Sequence, residues 1–396
     1  MVCLLKNSSL QKPSETTVLT YRSDGCATLA SSHKPIYNFA VAHFGFSLVT
    51  GVLATTLQST RTTGENEIVR RIARAIPSAT AAIGQSVLRV GIGDDAAIVK
   101  PGRSSEWVLS CDAFMEGVHF IAHRHPPDSV GYKALVRAAS DLAAMGATPR
   151  LFLLTLALPA SRTGTWLNGF LRGMGRAARS LGMRLAGGDT TKAPFVSISV
   201  TVLGEIGLGR AVTRSGARPG DIIYVSGTLG RAELGLHLFR KRIDRAHRLG
   251  QLLAPHLYPK TRIELGTWLA QRRVPSAMMD LSDGLSTDLA RLCAASGVGA
   301  RLHADRIPRI ARATLSAAPL ARLRLDPLQL ALHGGDDYEL LFTVPPRRLK
   351  SLRNAPGFRQ LTAIGEIARQ KGIVLTTPDG SAGPLHSRGW DPFRTK

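Results

Sequence analysis

The sequence predicts a mixed fold of the α/β or α+β class, divided into two domains. Segments typical of buried strands alternate with segments of helical periodicity in both halves of the chain. Hydrophobic residues make up 44% of the 396 residues, so a full core can be buried and global disorder is excluded. At roughly 150 residues per domain, this length corresponds to two domains and a remainder.

Three segments follow from these patterns. Residues 1–62 show no lasting periodicity, and we expect a poorly ordered N-terminal extension. Residues 63–207 form the predicted N-terminal domain, and residues 208–396 form the predicted C-terminal domain. The apolar stretch 38–57 is interrupted by His43 and by several Ser and Thr residues, so we expect no membrane span there. Translation from a start codon placed too far upstream is an alternative explanation of the extension.

Apolar spacing in the N-terminal half predicts three helices and four strands. Ala134, Leu135, Ala138 and Leu142 fall on one face of a helix. A continuous apolar run that ends at Pro159 is typical of a buried strand. The predicted helices cover 65–76, 126–145 and 165–182, and the predicted strands cover 87–90, 107–110, 151–158 and 195–205.

The C-terminal half continues the alternation of strands and helices. Its first strand is predicted from the sequence DIIYVS, and a second strand runs directly into a Ser-Asp-Gly turn before a helix. The predicted strands cover 221–226, 278–281, 340–344 and 364–366, and the predicted helices cover 231–240, 261–271 and 287–296.

The charge of the chain raises the question of an anionic partner. The sequence has 51 Lys and Arg residues against 28 Asp and Glu residues, which gives a net charge of +23. Nucleic acid, a membrane surface and a phosphorylated small molecule are the classes of partner that such a charge allows. Aromatic residues make up only 6% of the chain, so stacking platforms for bases are scarce. We therefore expect no nucleic acid or membrane partner, and a solvated, Arg-rich surface explains most of the charge.

The cysteines indicate a reducing compartment. The four cysteines, Cys3, Cys26, Cys111 and Cys293, form no C-x-x-C pair and no regular spacing. This argues against a disulfide framework and against a structural zinc site. We expect a cytoplasmic protein.

The chemistry of the chain is concentrated in its carboxylates. Twelve of the 28 acidic residues lie in six short motifs: GIGDD, SCDAFMEG, SDLAAMG, AGGDTT, MDLSDGLSTD and GGDDYE. Each motif alone is explained by a turn or a helix cap. Together they favour a hard cation such as Mg²⁺, because short carboxylates on tight backbones fix the geometry of oxygen ligands.

Two of these motifs point further, one to a cation and one to a phosphate. Asp141 lies on an otherwise apolar helix, where burying a carboxylate is costly without a cation as a partner. The motif AGGDTT is predicted to form a compact turn whose N–H groups face a phosphate. The sequence contains no G-x-x-x-x-G-K-[ST] motif and no protein-kinase H-R-D or D-F-G motif, so those two kinase classes are excluded.

The ordered set GIGDDAAIV, SCDAFMEGVHF, SDLAAMGATP, GGDTT, MDLSDGLSTDL, GGDDYELLFTVP and RGWDPF resembles the bacterial thiamine-monophosphate kinases. That family shares a superfamily with aminoimidazole ribonucleotide synthetase, selenide–water dikinase and a hydrogenase maturation factor. The resemblance runs from about Gly64 to Phe393. It implies ATP-dependent phosphorylation of thiamine monophosphate to thiamine diphosphate, with several Mg²⁺ ions. It also implies two aminoimidazole-ribonucleotide-synthetase-like domains and a homodimer formed through the N-terminal sheet, with the ATP site near the dimer interface.

The resemblance also implies roles for individual residues. The Mg²⁺ ligands would be Asp95, Ser110, Cys111, Asp112, Asp141, Asp189, Asp280 and Asp283, of which Asp112, Asp141 and Asp189 would be catalytic. The ATP contacts would be Gly188, Asp189, Arg214 and Ser282, and the thiamine-phosphate pocket would contain His119, Asp336 and Trp390.

Several of these assignments have alternatives. His119 could be a core histidine, and Trp390 could be a packing anchor. Cys111 stands where the family usually has Thr, Asp336 where it usually has Glu, and Leu171 where some members have an ATP-contacting Tyr. Another ATP-dependent enzyme of the superfamily, such as a ligase or a phosphate-transfer synthetase, is the alternative function.

Overall fold

Two mixed β-sheets organise the chain. The computed structural model describes residues 68, 71–72, 74–76, 88–90, 98–99, 102, 104–243, 250–316 and 320–393. The predicted extension, the apolar stretch 38–57 and the predicted metal ligand Asp95 lie outside these described residues. Of the predicted helix 65–76, the described residues 68, 71, 72, 74 and 75 are helical.

The N-terminal half contains two short paired strands, a four-stranded sheet and two helices. β1 (Leu88–Val90) pairs with β2 (Ile98–Val99) in antiparallel fashion. The sheet has the order β3-β6-β4-β5, in which only β4 and β5 are parallel. Its strands are β3 (Ser105–Met115), β4 (Thr148–Leu158), β5 (Arg184–Lys192) and β6 (Ser197–Gly207), and the helices are α1 (Pro127–Met145) and α2 (Thr165–Leu181).

The two faces of this sheet have different surroundings. Alternation along β3 places Ser110, Asp112 and Phe114 on the side of α1, and Leu109 and Cys111 on the opposite, open side. Leu109 is 62% exposed on that open side. The sheet therefore presents Ser110, Asp112 and Phe114 to the helix layer, and on the opposite side Leu109 and Cys111 are exposed among the described residues.

Helix α1 carries polar residues into the interior and ends at a defined position. Pro127 occupies the first turn, where a missing N–H costs nothing. Gly146 adopts a left-handed conformation with φ of 78°, and its N–H bonds to the carbonyl of Ala143. Asp141 lies in the last two turns, so the position of the helix end determines where its side chain lies relative to the sheet.

The C-terminal half contains a seven-stranded sheet with the order β13-β12-β9-β11-β7-β10-β8. All neighbouring strands are antiparallel except β9 and β12. The strands are β7 (Ile222–Ser226), β8 (Ala277–Leu281), β9 (Gly299–His303), β10 (Glu339–Val344), β11 (Leu361–Ala368), β12 (Gly372–Thr376) and β13 (Ala382–Pro384).

Seven helices accompany this sheet in the described part of the chain. They are α3 (Arg231–Arg240), α4 (Gly250–Leu257), α5 (Ile263–Gln271), α6 (Leu285–Ser296), α7 (Arg312–Ser316), α8 (Pro327–His333) and α9 (Leu349–Leu352). Both sheets are mixed, so the fold has the α+β arrangement among those that the sequence predicts.

A continuous hydrophobic core joins the two halves. Leu142 of α1, Leu269 of α5 and Phe342 of β10 are fully buried in the same cluster. A second cluster fills the space between the larger sheet and α6, with Ile223, Leu289 and Ile364 at its centre. Because the first core crosses residue 207, the division into domains 63–207 and 208–396 stays a prediction.

The predicted compact turn at AGGDTT is wrong. Residues 184–192 form strand β5, which pairs in parallel with β4 through a register irregularity. A Cβ on Gly188 would lie 1.9 Å from the carbonyl oxygen of Leu154, so the two strands can approach only because this residue is glycine. The glycines here serve strand packing, which the turn prediction did not consider.

Among the described residues, no helix is both long enough and apolar enough to cross a membrane.

Candidate active site

A polar cavity of about 270 Å³ lies between α1, α3, the end of β8 and the segment before β10. Eight of the residues that the sequence singles out line it: Asp112, His119, Asp141, Asp280, Ser282, Asp283, Asp336 and Trp390. They come from both halves of the chain. The fold therefore brings five separate acidic residues to one place, as the motifs suggested.

Strand β3 and helix α1 form the first wall of the cavity. Arg137 Nε donates a hydrogen bond of 3.1 Å to Asp112 Oδ2. The guanidinium also lies over the Phe114 ring, 5.2 Å from its centroid. One turn further along α1, Asp141 accepts a hydrogen bond from the hydroxyl of Ser110. The strand and the helix thus hold two carboxylates side by side.

Asp280 at the end of β8 adds a third, fully buried carboxyl group. Ser140 Oγ donates a 2.7 Å hydrogen bond to Asp280 Oδ2. Burial and then the charge of Asp141 raise the pKa of Asp280 to about 7. Burial also raises the pKa of Asp141. Two buried carboxyl groups that disfavour each other's ionisation form a pair that a cation would stabilise.

The turn after β8 is held by a carboxylate at the start of α6. Asp288 Oδ2 accepts the backbone N–H groups of Ser282, Asp283 and Gly284 at 3.0–3.1 Å. Arg291 Nη1 bridges Asp288 and Asp283, at 2.8 Å and 2.5 Å. Burial and then the charge of Asp283 raise the pKa of Asp288 to about 6. Asp288 therefore positions the residues that line the cavity.

Asp336 lies on the opposite wall and is bound by two partners. Lys133 Nζ lies 2.7 Å from Asp336 Oδ2, and the Tyr338 hydroxyl donates a 2.6 Å hydrogen bond to Asp336 Oδ1. Burial alone would raise the pKa of Asp336, but the charges of Lys133 and Arg137 hold it well below its usual range. One third of the Asp336 side chain remains accessible, so an anionic carboxylate faces the cavity.

His119 and Trp390 also line the cavity. His119 Nδ1 accepts the Met115 N–H at 3.0 Å, and its ring lies beside Phe114. Burial, and then the charge of Arg137, lower the pKa of His119 to about 4, so the imidazole is neutral at pH 7. The C-terminal tail returns to the cavity because the Trp390 N–H donates to the carbonyl of Asp283 at 2.9 Å.

Five of the predicted site residues that the structure describes do not line the cavity: Ser110, Cys111, Gly188, Asp189 and Arg214. Cys111 lies on the open side of the sheet, where its sulfur contacts Ser199 Oγ and Thr201 Oγ1 at 3.4 Å and 3.3 Å. Gly188 and Asp189 lie on β5, away from the other carboxylates. Arg214 lies in the loop after β6. Burial raises the pKa of both Asp141 and Asp280, and the charge of Arg214 opposes part of that rise. Of the predicted ligands, Ser110 reaches the cavity through its bond to Asp141.

Sequence reasoning missed the two basic residues of α1. Lys133, Arg137 and Asp141 are spaced by four residues, so they share one face of the helix. Arg137 and Asp141 line the cavity, and the buried Lys133 bonds to Asp336, which also lines it. This spacing was a usable signal. It was overlooked because basic residues are frequent throughout the chain.

The carboxylate oxygens of the cavity are suited to a Mg²⁺ ion that also binds the phosphate oxygens of a substrate. Within the residues that the structure describes, no group of three or more His, Cys, Asp and Glu side chains is arranged to hold a metal ion. Mg²⁺ is normally bound by one or two carboxylates together with substrate phosphates and water, so an all-protein cage is not needed. The buried pair of Asp141 and Asp280 supplies oxygen ligands of the required kind.

The fold and this site define an AIR synthase related protein. The family described as AIR synthase related protein, N-terminal domain, matches residues 93–206, and the corresponding C-terminal domain family matches residues 218–377. The chain is 36% identical to thiamine-monophosphate kinase of Synechococcus elongatus over 309 residues, which cover 76% of this chain and 91% of that one. It is 37% identical to thiamine-monophosphate kinase of Escherichia coli K12 over 312 residues, which cover 78% and 93%. The chain belongs to the thiamine-monophosphate kinase family.

Solved structures agree with this assignment. The crystal structure of thiamine-monophosphate kinase from Stenotrophomonas maltophilia K279a is 35% identical, with a TM-score of 0.66, and the match covers 80% of this chain and 96% of that one. A structure of AaThiL complexed with AMPPCP and TMP is 33% identical, with a TM-score of 0.65, and covers 76% and 91%. Structures of the hydrogenase maturation protein HypE, at 21–22% identity, share the fold.

Proposed function

We propose that this chain transfers the γ-phosphoryl group of ATP to thiamine monophosphate, which yields thiamine diphosphate and ADP. The observation that carries the proposal is the cavity in which five acidic residues from both halves face Arg137, His119 and Trp390. The relatives named thiamine-monophosphate kinase, at 32–37% identity, support it. The related AaThiL structure with AMPPCP and TMP supports the two substrates.

The reaction needs little acid–base chemistry from the protein. The nucleophile is an oxygen of the acceptor phosphate, which is already anionic at pH 7. His119 is neutral and bonded at Nδ1, so we assign it to orientation of the acceptor. The main task is to bring two polyanions together and to neutralise their charge. Arg137 provides a fixed cation at the cavity wall for this purpose.

We propose that several Mg²⁺ ions bind together with the substrate phosphates, each to one or two of the carboxylates Asp112, Asp141, Asp280 and Asp283, with Ser110 bonded to Asp141. When bound, Mg²⁺ would neutralise phosphate charge. Arg137 bonds Asp112, and Ser140 bonds Asp280. Asp95, Cys111 and Asp189 stay predictions as ligands.

The acceptor end suits a molecule with a cationic ring and an anionic tail. The Asp336 carboxylate, kept ionised by Lys133, would attract the positive charge of thiamine. Trp390 is 42% exposed at the rim and can stack on a heteroaromatic cation. We assign an ATP contact at the cavity to Ser282. The ATP contacts of Gly188, Asp189 and Arg214, which do not line the cavity, stay predictions.

We propose a homodimer formed through the open face of the four-stranded sheet. Leu109 and Leu153 are 62% and 37% exposed on this face, and a second copy of the chain would cover them. This arrangement would place the edge residues Gly188 and Asp189 of β5 near the second chain. We expect the reaction to take place in the cytoplasm, without a nucleic acid or membrane partner.

The alternative, another ATP-dependent enzyme of the superfamily, has weaker support. The HypE structures share the fold at 21–22% identity, whereas the kinases are closer in sequence. A ligase would consume ATP with a different second substrate. The two possibilities therefore differ in the product that accompanies ADP.

The test is to incubate the purified full-length protein with ATP, Mg²⁺ and thiamine monophosphate. Thiamine diphosphate and ADP should form in equal amounts, and neither should form when Mg²⁺ is removed by EDTA. A sample without the acceptor is the control for ATP hydrolysis. Release of ADP without thiamine diphosphate would refute the proposed function.

A further inference from the structure

A second and larger cavity lies behind the wall of the first. It has a volume of about 770 Å³ and is bounded by the loop before α3, by α4, and by the segments around residues 260, 308 and 360. Ala232 of α3 lines both cavities. No residue of the proposed catalytic machinery lines the second one, so it is not an extension of the first site.

The segment from Asp336 to Glu339 separates the two cavities. Asp336 and Tyr338 line the first cavity, and Asp337 and Glu339 line the second. Asp336 and Tyr338 have φ values of +66° and +51°, which non-glycine residues rarely adopt. The backbone is thus held in a defined conformation with alternating side chains on its two sides, and the wall of the second cavity is preformed.

The two carboxylates of the second cavity, Asp337 and Glu339, already accept hydrogen bonds from other groups of the protein. Glu339 accepts hydrogen bonds from Arg262 Nε and Nη2 at 2.5 Å and 2.6 Å, and from Ser226 at 2.5 Å. Asp337 accepts the backbone N–H groups of Gly230 and Ala232 at 2.6 Å and 3.2 Å. Because Asp337 accepts N–H groups at the N-terminus of α3, that end of the helix is not available to a ligand.

Three basic residues of the cavity remain without an anionic partner. Arg231, Lys260 and Arg359 line it, and within the described residues none of them takes part in an ion pair or a side-chain hydrogen bond. They come from three separate segments of the chain and surround one concave space. All three residues are exposed to solvent, and all three line the same cavity.

We propose that this second cavity binds a small molecule that carries a diphosphate group. The three unpaired cations that line the cavity match the two to three negative charges of such a group. The volume lies within the range of about 300–1,000 Å³ that is common for small-molecule sites. Pro255, Tyr258 and Pro259 offer an apolar side for the remainder of the ligand.

The proposal is tested by calorimetric titration of inorganic pyrophosphate into the full-length protein in the presence of EDTA. The key variant replaces the three unpaired cations: Arg231→Gln, Lys260→Gln and Arg359→Gln. The matched control removes the same charge from an exposed segment outside both cavities: Arg347→Gln, Lys350→Gln and Arg353→Gln. We expect the key variant to weaken pyrophosphate binding by about tenfold or more and the control to leave it nearly unchanged.

Three further results would decide the matter. Equal weakening in both variants would assign binding to overall charge and overturn the proposal. Loss of binding in Arg137→Gln, with binding retained in the key variant, would place pyrophosphate in the first cavity and overturn it as well. Retained binding in Arg137→Gln supports the second site. Unfolding temperatures establish that the variants are folded, and Arg231→Gln alone is the substitute if the triple variant is not.

Discussion

Lys133 and Asp336 are 203 residues apart in the sequence, yet their charged groups lie 2.7 Å apart. Lys133 is 5% exposed and comes from α1, whereas Asp336 precedes β10. The pair therefore ties the two halves of the chain together at the wall of the first cavity. The charge of Lys133 also keeps the Asp336 carboxylate ionised.

The first prediction concerns this pair. Lys133→Met should lower the free energy of unfolding by about 2–4 kcal/mol, because it leaves Asp336 without its main counter-charge in a partly buried place. It should also raise the KM for thiamine monophosphate more than the KM for ATP. Urea unfolding and steady-state kinetics measure the two effects. Lys350→Met, which removes an exposed lysine, is the control and should change neither.

The second prediction concerns the proposed metal ligands. Asp112→Asn and Asp141→Asn should each lower kcat by about 100-fold or more, since each removes an anionic oxygen where phosphate charge is neutralised. Their folds should persist. Asp141→Asn should even unfold at a slightly higher temperature without Mg²⁺, because the Asp141 charge raises the pKa of the buried Asp280. Near-normal rates at limiting Mg²⁺ would contradict the metal assignment.

The third prediction concerns stability below pH 7. Burial lowers the pKa of His125 to about 4, so between pH 6.5 and 4 the unfolded chain binds a proton that the folded chain does not. This group therefore makes stability fall as the pH falls through that window, by up to about 3 kcal/mol. Asp280 and Asp337 have raised pKa values and act in the opposite direction.

Comparison with a variant isolates the histidine. Melting temperatures of the wild type and of His125→Gln should converge or cross as the pH is lowered from 7 to 4.5, because the variant lacks the titrating group. Parallel curves over that range would show that His125 does not titrate between these values. His256, 3.4 Å from His125, also has a lowered pKa and remains in both proteins.

The sequence predicted those parts of the fold and the site that depend on local patterns. Long apolar runs such as 151–158 identified their strands, and glycine-bounded Asp motifs identified most of the cavity. β5 was missed because its glycines look like a turn until the neighbouring strand is known. Lys133 and Arg137 were missed because their importance comes from Asp336 and Asp112, to which only the tertiary fold brings them.

The fourth prediction concerns the N-terminal segment. Removal of residues 1–62 should leave folding and activity nearly intact, because this segment contains none of the motif residues. Melting temperature and kcat/KM for the shortened protein measure the two properties. An insoluble or inactive product would mean that the segment has a role that its sequence does not reveal.

The last prediction concerns Trp390. A residue that stacks on the substrate and a residue that packs in the core differ in their exposure and in the effect of replacing them. A packing anchor would be buried, but Trp390 is 42% exposed, and its backbone N–H, bonded to Asp283, already secures the tail. Trp390→Ala should therefore raise the KM for thiamine monophosphate by the equivalent of about 0.5–2 kcal/mol, with little change for ATP. Trp390→Phe should recover part of the loss, because it retains an aromatic face. If both KM values rise equally and the melting temperature falls, Trp390 is a structural residue and the stacking role is wrong.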